Sequence, residues 1–258
     1  MDMTEFLRAM AAAAAKETLP RFRAAGVVSN KFDAGFDPVT EADREAERVI
    51  RELIRAEYPG DGILGEEHGT ENGGSDRVWV IDPIDGTRAF ISGIPLWGTL
   101  VGLTVGGRAV CGMMSQPFTG ELYFATGDGA FYEGPGGSRR LTTRRIADLS
   151  QATVFTTTPA LFTGDLRVRY DRLERAARLT RYGTDCYGFA MVAAGYADIA
   201  VDAGLQSYDI VALIPIIEKA GGVGTTFEGG PAEAGGDIIA AASPELHEAA
   251  MKAIQGKI

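Results

Sequence analysis

Only two cysteines, Cys111 and Cys186, occur in the 258 residues, and they stand far apart. They make no disulfide framework and suit a reducing compartment, so a cytoplasmic location is expected. Histidine is as scarce, with two copies, and only His68 falls near the acidic motifs described below, so the Cys/His ligand sets of zinc are missing. No apolar run approaches the ~20 residues that span a bilayer, and no membrane partner is expected. The N-terminus (MDMTEFLRAMAAAAAKETLPRFRA) has an alanine run but an acidic start, and reads as an amphipathic helix rather than a signal peptide. Positive charge is short as well: the net charge of −10 argues against general nucleic-acid binding, which needs a basic footprint. A small phosphorylated substrate is still compatible if metal ions intervene.

What is present is the composition of an ordinary globule, long enough for one large domain or two lobes. Periodicity predicts helices over 3–25, stopping near Gly26, and over 40–58, where Thr40 is an N-cap and Pro59-Gly60 a stop. Between Val78 and Phe131 short apolar runs joined by Gly-rich turns predict a largely antiparallel sheet, which the segment EGPGGSRR (133–140) closes. After it strands and helices alternate, with one helix expected over YDIVALIPIIEKA and a last one over SPELHEAAMKAIQ. The class is therefore α/β, with an N-terminal lobe over 1–145 and a C-terminal α/β lobe over 146–258.

The stretch WVIDPIDGTRAF (79–90) breaks its own pattern. An apolar strand ends in two aspartates, Asp82 and Asp85, around Pro83, which is expected to turn the chain at once. Gly86 then permits a tight path that leaves amides free for an anion. Other acids also sit at the ends of predicted elements: Asp43 in DPVTEAD, Glu66 and Glu67 in GEE, and Asp209 in SYDIVAL. Taken singly, each reads as a cap, a turn residue or a surface charge. Clustered carboxylates with a backbone carbonyl form a hard-oxygen site suited to Mg²⁺ or Mn²⁺. His247 reads as a surface helix residue, the two cysteines as small buried apolar groups, and the run Arg139, Arg140, Arg144, Arg145 as a solvated turn.

In this order, DPVTEAD (37–43), GEE (65–67), IDPIDGTRAF (81–90) and SYDIVALIPIIEKAGG (207–222) resemble the inositol monophosphatase superfamily of Mg²⁺-dependent, lithium-sensitive phosphatases. The resemblance implies a layered α-β-α-β-α sandwich, commonly a homodimer. It also implies that Glu66, Asp82, Asp85 and Asp209 ligate two or three metal ions, with the main-chain carbonyl of Ile84. Thr87 and Asp43 would orient the attacking water, with Glu66 assisting, while Gly86 and Thr87 would offer amides to the phosphate. Tyr208 replaces the tryptophan usual before the last metal ligand. The segments NKFDAGFDPVTEADREAE (30–47), IDGTRAFISG (84–93), TTTPALF (156–162) and RYGTDCYGFAMVAAGYADIAVD (181–202) resemble the histidinol-phosphatase branch.

A phosphate dianion is repelled by a bare carboxylate cluster, by about 4 kcal/mol per like-charge pair at ~4 Å and an effective dielectric of ~20. Metal ions reverse that sign, and two of them serve direct in-line attack by an activated water without a covalent intermediate. Histidinol phosphate carries an ammonium group and an imidazole on its alcohol part. The resemblance implies that Asp185, read as opening a helix, and Asp202, read as ending a strand, stand where relatives contact the alcohol part of the substrate, with Gly183 and Thr184 beside them and Asp85 and Asp209 also bordering it. Two acids there suit a cation better than a neutral polyol. Arg88 is expected to pair with a site acid or to hold substrate. The alternatives are an inositol-1-phosphate or broad sugar-phosphate phosphatase, and a non-catalytic member that uses its carboxylates to bind a cation.

Overall fold

Asp2 takes the amides of Thr4 and Glu5 and so starts helix α1 (Met3–Thr18). The helix ends well short of residue 25, because Pro20 has no N–H with which to continue it. The computed structural model describes residues 1–24, 29–30 and 38–257, so Gly26, the expected stop, lies outside the described residues. Two short strands, β1 (Ser29–Asn30) and β2 (Pro38–Val39), pair antiparallel. Helix α2 (Glu41–Glu57) follows under a capping box of Thr40 and Asp43.

The larger sheet holds β3 (Gly62–Gly65), β4 (Gly69–Glu71), β5 (Arg77–Asp85), β6 (Gly98–Val105), β7 (Arg108–Gln116), β8 (Glu121–Thr126), β9 (Gly129–Gly134) and β10 (Gly137–Arg140), with the short helix α3 (Thr87–Ile91) after β5. Its order is β10-β9-β8-β7-β6-β5-β3-β4, antiparallel except where β3 runs beside β5. The expected closing segment 133–140 is in fact the β9–β10 hairpin. Arg139 and Arg140 are thus strand residues, lying over the Tyr132 and Phe131 rings, and Arg144 pairs with the buried Asp198 at 2.8 Å. The run is not a solvated turn.

The smaller sheet takes β11 (Thr153–Thr156), β12 (Leu179–Tyr182), β13 (Ile199–Leu205), β14 (Val223–Thr226) and β15 (Gly236–Ala241) in the order β12-β11-β13-β15-β14. The helices of this half are α4 (Gly164–Ala176), α5 (Asp185–Ala193), α6 (Ser207–Ile210), α7 (Leu213–Ala220) and α8 (Pro244–Ile254). Helices α1 and α2 pack on one face of the larger sheet, α5 and α7 lie between the sheets, and α4 and α8 cover the far side. This is the α-β-α-β-α sandwich. Phe6, Met10, Ile50, Ile54, Trp79 and Val101 fill the outer core, while the inner core draws on both sheets, from Leu100 and Met114 to Ile199 and Ile239. Among the described residues no helix is long and apolar enough to cross a membrane.

Two departures from the predicted elements shape the site. The single helix expected over 208–220 is two, α6 and α7, with a break at Val211-Ala212. Pro215 has no N–H to give the Val211 carbonyl, so the helical ladder fails there. The broken backbone presses on the larger sheet at Gly112, where a Cβ would sit 2.2 Å from the Ala212 carbonyl oxygen. His247 is likewise not a surface residue: it is half-buried and shares a 2.8 Å hydrogen bond with Thr225 Oγ1.

Candidate active site

Residues three apart on a regular strand point to opposite faces. Asp82 and Asp85 nonetheless converge, because β5 carries a bulge between them: Asp82 faces Leu100 and Asp85 faces Gly98 on β6, so one residue on β5 is supernumerary. Pro83 lies inside this bulge, where its missing N–H costs no ladder bond. The chain therefore does not turn at Pro83 as expected; the strand runs on to Asp85. The turn comes at Gly86, whose φ of 84° belongs to glycine's permitted region, and Thr87 opens α3 with Oγ1 donating to the Ile84 carbonyl at 3.0 Å.

Helix α6 brings the third acid. The Gln206 amide donates to Asp209 Oδ2 at 2.7 Å, fixing that carboxylate in the first helical turn. One oxygen each from Asp82, Asp85 and Asp209 lies within 4.8 Å of the others. Asp82 is 2% exposed, and its buried Oδ1 has no hydrogen-bond partner. Burial, then the charges of Glu66, Asp85 and Asp209, push its carboxyl well up. Asp85 is raised by burial and by Asp185 and Asp209, against which the Cys186 amide donates at 2.8 Å. Asp209 is pushed up to about 7, chiefly by burial. All-oxygen donors, crowded, buried and partly without partners, are what a hard divalent cation satisfies, so the residues fit the expected metal.

Glu66 lies beside this triplet, tied to β5 by its amide donating to the Ile81 carbonyl at 3.1 Å. Asp43 is fully buried on α2, and its Oδ2 accepts from the Thr40 amide at 2.8 Å and from Thr40 Oγ1 at 2.5 Å. Its Oδ1 has no hydrogen-bond partner, and burial pushes the carboxyl up to about 6. Asp37, at the start of the quoted DPVTEAD motif, lies outside the described residues.

On the other side of Gly86 stands Asp185, the first residue of α5. Its φ of 43° is uncommon for a non-glycine residue and carries a cost on the order of 1 kcal/mol. That backbone lays the carboxylate against Gly86: a Cβ there would lie 3.4 Å from Asp185 Cγ and Oδ2. Burial raises the Asp185 carboxyl, while Thr157 and the positive Arg88 favour its charged form. Arg88 itself is exposed. Gly183, at φ 74°, and Thr184 lead into this turn, and the Gly183 amide donates to the Thr157 carbonyl at 2.8 Å.

Asp202 is neither the strand-ending acid expected nor a loop charge. Strand β13 continues to Leu205, with an irregularity only beyond Asp202. The side chain is 2% exposed and takes three hydrogen bonds, from Thr156 Oγ1 (2.8 Å), the Thr157 amide (2.8 Å) and Thr157 Oγ1 (3.0 Å). Burial pushes it up to about 6. Sequence reasoning missed the part of Thr157, which joins Asp202 to the Asp185 side of the site, and that of Cys186, whose amide holds Asp85. A threonine pair ending a strand, and a cysteine following a helix-opening acid, were the only signals.

A family model described as the inositol monophosphatase family matches residues 1–258. A histidinol-phosphatase of Chlorobaculum parvum is 42% identical over 224 residues, covering 85% of this chain and 84% of that one. An inositol-1-monophosphatase of Rhizobium meliloti is 39% identical over 209 residues, covering 77% and 76%. The solved structure of an inositol monophosphatase from Zymomonas mobilis superposes with a TM-score of 0.86 at 37% identity, covering 97% of this chain and 96% of the other.

Proposed function

This chain belongs to the inositol monophosphatase family of metal-dependent phosphatases, and from that premise we propose that it hydrolyses histidinol phosphate, with Mg²⁺ as its natural metal. The observation that carries the substrate is Asp185: an acid in a strained backbone conformation, laid against the Gly86 turn and beside Asp85. A polyol hydroxyl can donate to a carboxylate, but an ionised acid at that point suits the ammonium group next to the phosphate-bearing carbon better, since it also neutralises a full charge. The likeness to the Chlorobaculum histidinol-phosphatase supports the same choice.

In this reading Asp82, Asp85, Asp209 and Glu66, with the Ile84 carbonyl, hold the cations. When bound, these supply a lowered water pKa and charge neutralisation for the phosphate and the leaving alkoxide. The Gly86 and Thr87 amides orient the phosphate. Asp43 Oδ1, which has no protein partner, accepts a proton or hydrogen bond from the attacking water, while Thr87 Oγ1 fixes its orientation. Asp185 pairs with the substrate's ammonium group. Asp202 acts from behind: by gripping Thr156 and Thr157 it sets the wall against which Asp185 rests. Arg88 neutralises Asp185 until the substrate cation arrives.

The test is phosphate release from histidinol phosphate, inositol 1-phosphate and fructose bisphosphate, with and without Mg²⁺, in the wild type and in Asp185→Asn. Histidinol phosphate is expected to have the highest kcat/KM. The substitution should cost it roughly 10-fold or more, the scale of one charge-assisted contact, and the neutral esters less than about 3-fold. Preference for inositol 1-phosphate, or an equal loss on all three esters, would replace this substrate with the polyol phosphate.

A further inference from the structure

Helix α2 places Asp43, Glu47 and Arg51 one turn apart along a single stripe. Glu47 is fully buried and Arg51 is 3% exposed, and their side chains meet at 2.7 Å (Glu47 Oε1 to Arg51 Nε). A buried ion pair is a poor device for stability alone, since apolar residues of similar volume often serve as well or better. Its hydrogen bonds indicate another use. Glu47 Oε2 accepts from the Glu67 amide at 2.7 Å, and Oε1 accepts from the His68 amide at 3.2 Å. Arg51 Nη2 donates to the Gly69 carbonyl and Nη1 to Glu71 at 3.4 Å, while Arg55 holds Glu71 from outside at 2.6 Å. The two amides that follow Glu66 are thus anchored to α2, while the amide of Glu66 itself is anchored to β5 one residue before Asp82.

Gly65 shows how closely the carboxylate sits. A Cβ there would lie 1.9 Å from Glu47 Oε1, so the acid occupies the space any side chain at 65 would need. The glycine of the GEE motif and Glu47 form one fitted unit. Asp43, one turn earlier on α2, rides on the same rigid element.

We propose that Glu47, seated on Arg51, is a positioning residue that sets where Glu66 stands relative to Asp82 and Asp43, and thereby tunes metal affinity. The proposal rests on the reading of Glu66 as a metal ligand. Neither Glu47 nor Arg51 touches the metal triplet; they act through the backbone of Glu67 and His68.

Glu47→Gln tests it. An amide can replace the acceptor at Oε1, but its NH₂ group then faces the Glu67 N–H, donor against donor. In metal-stripped protein, calorimetric titration with Mg²⁺ or Mn²⁺ should give a Kd raised roughly 10-fold or more, the range seen when groups behind a metal ligand are changed. The Glu67 and His68 amides should exchange hydrogen faster before metal is added, while amides inside α2 and β5 keep their protection. At saturating metal, kcat should recover to within about 3-fold and KM should stay within about 2-fold, a split that general destabilisation does not produce. Wild-type affinity with unchanged exchange at the two amides would overturn the proposal. A wild-type protein that binds neither ion would instead overturn the metal reading on which it rests. Should Glu47→Gln fail to fold, Arg51→Lys decides. It keeps the charge and loses the fork onto Gly69, and should raise Kd by about 3-fold or more; wild-type affinity there would overturn the proposal equally.

Discussion

Asp82→Asn is expected to lose turnover by roughly 10³-fold or more, about 4 kcal/mol of transition-state stabilisation, while its metal-free form becomes more stable than the wild type at pH 8. Both halves have one cause. Asp82 is buried, has an oxygen without a partner, and is pressed by Glu66, Asp85 and Asp209. The amide removes one of the repelling charges and supplies a donor to its neighbours, so the empty cluster relaxes. On the proposed reading the same change removes a metal ligand and the charge that draws the cation in. Steady-state kinetics over a range of Mg²⁺ concentrations, with thermal unfolding of the metal-free protein, check both. Substantial Mg²⁺-dependent activity in the variant, or a fall in metal-free Tm, would contradict the reading of Asp82 as a ligand held at an energetic cost.

The second large effect is a reversal of pH dependence by metal. In metal-free protein burial pushes Asp43 and Asp202 each up to about 6, and Asp209 to about 7, from the ordinary aspartate value of 3.8. Burial favours the protonated form in the fold. The stability these groups contribute is therefore complete below about 3.8, and is lost as the pH rises through about 6 to about 7. Between pH 5 and pH 8 the part of that loss still to come is roughly 1.4 kcal/mol each for Asp43 and Asp202 and about twice that for Asp209, and each kcal/mol moves Tm by about 2–4 °C at this size. Metal-free Tm should accordingly be at least ~5 °C lower at pH 8 than at pH 5. On the proposed reading Mg²⁺ binds the ionised cluster, so the Tm increase on adding it should be much larger at pH 8 than at pH 5. Scanning calorimetry of chelator-treated and Mg²⁺-loaded protein measures this directly. A metal-free Tm that rises from pH 5 to pH 8, with an equal Mg²⁺ response at both, would show that the carboxylates are not crowded in this way.

Much of the architecture was legible because periodicity and turn chemistry report local structure. Thr40 caps α2, the Gly-rich turns make hairpins, and strands alternate with helices after residue 150. The acids of GEE, IDPIDGT and SYDIVAL were legible as a group, and the structure draws Asp82, Asp85 and Asp209 together. Hidden were features that depend on a partner distant in sequence. Pro83 reads as a chain reversal, and only the pairing of β5 with β6 shows that a bulge absorbs it and turns two acids to one side. The break between α6 and α7 is the exception, since Pro215 stands only four residues after Val211 and its missing N–H is a local signal. Asp202 looks like an exposed charge until Thr156 and Thr157 are seen to saturate it, and Glu47 looks like one more acid on a polar helix until Gly65 makes room for it. His247 and Arg144 look like surface groups in the sequence for the same reason: their partners, Thr225 and Asp198, lie on other elements.

The most direct test of the central claim is anomalous diffraction from crystals soaked in Mn²⁺. A strong peak coordinated jointly by Asp82, Asp85 and Asp209 is the predicted result, since these carboxylates crowd within 4.8 Å for a cation. Saturating Mn²⁺ that leaves no peak at this triplet would contradict it.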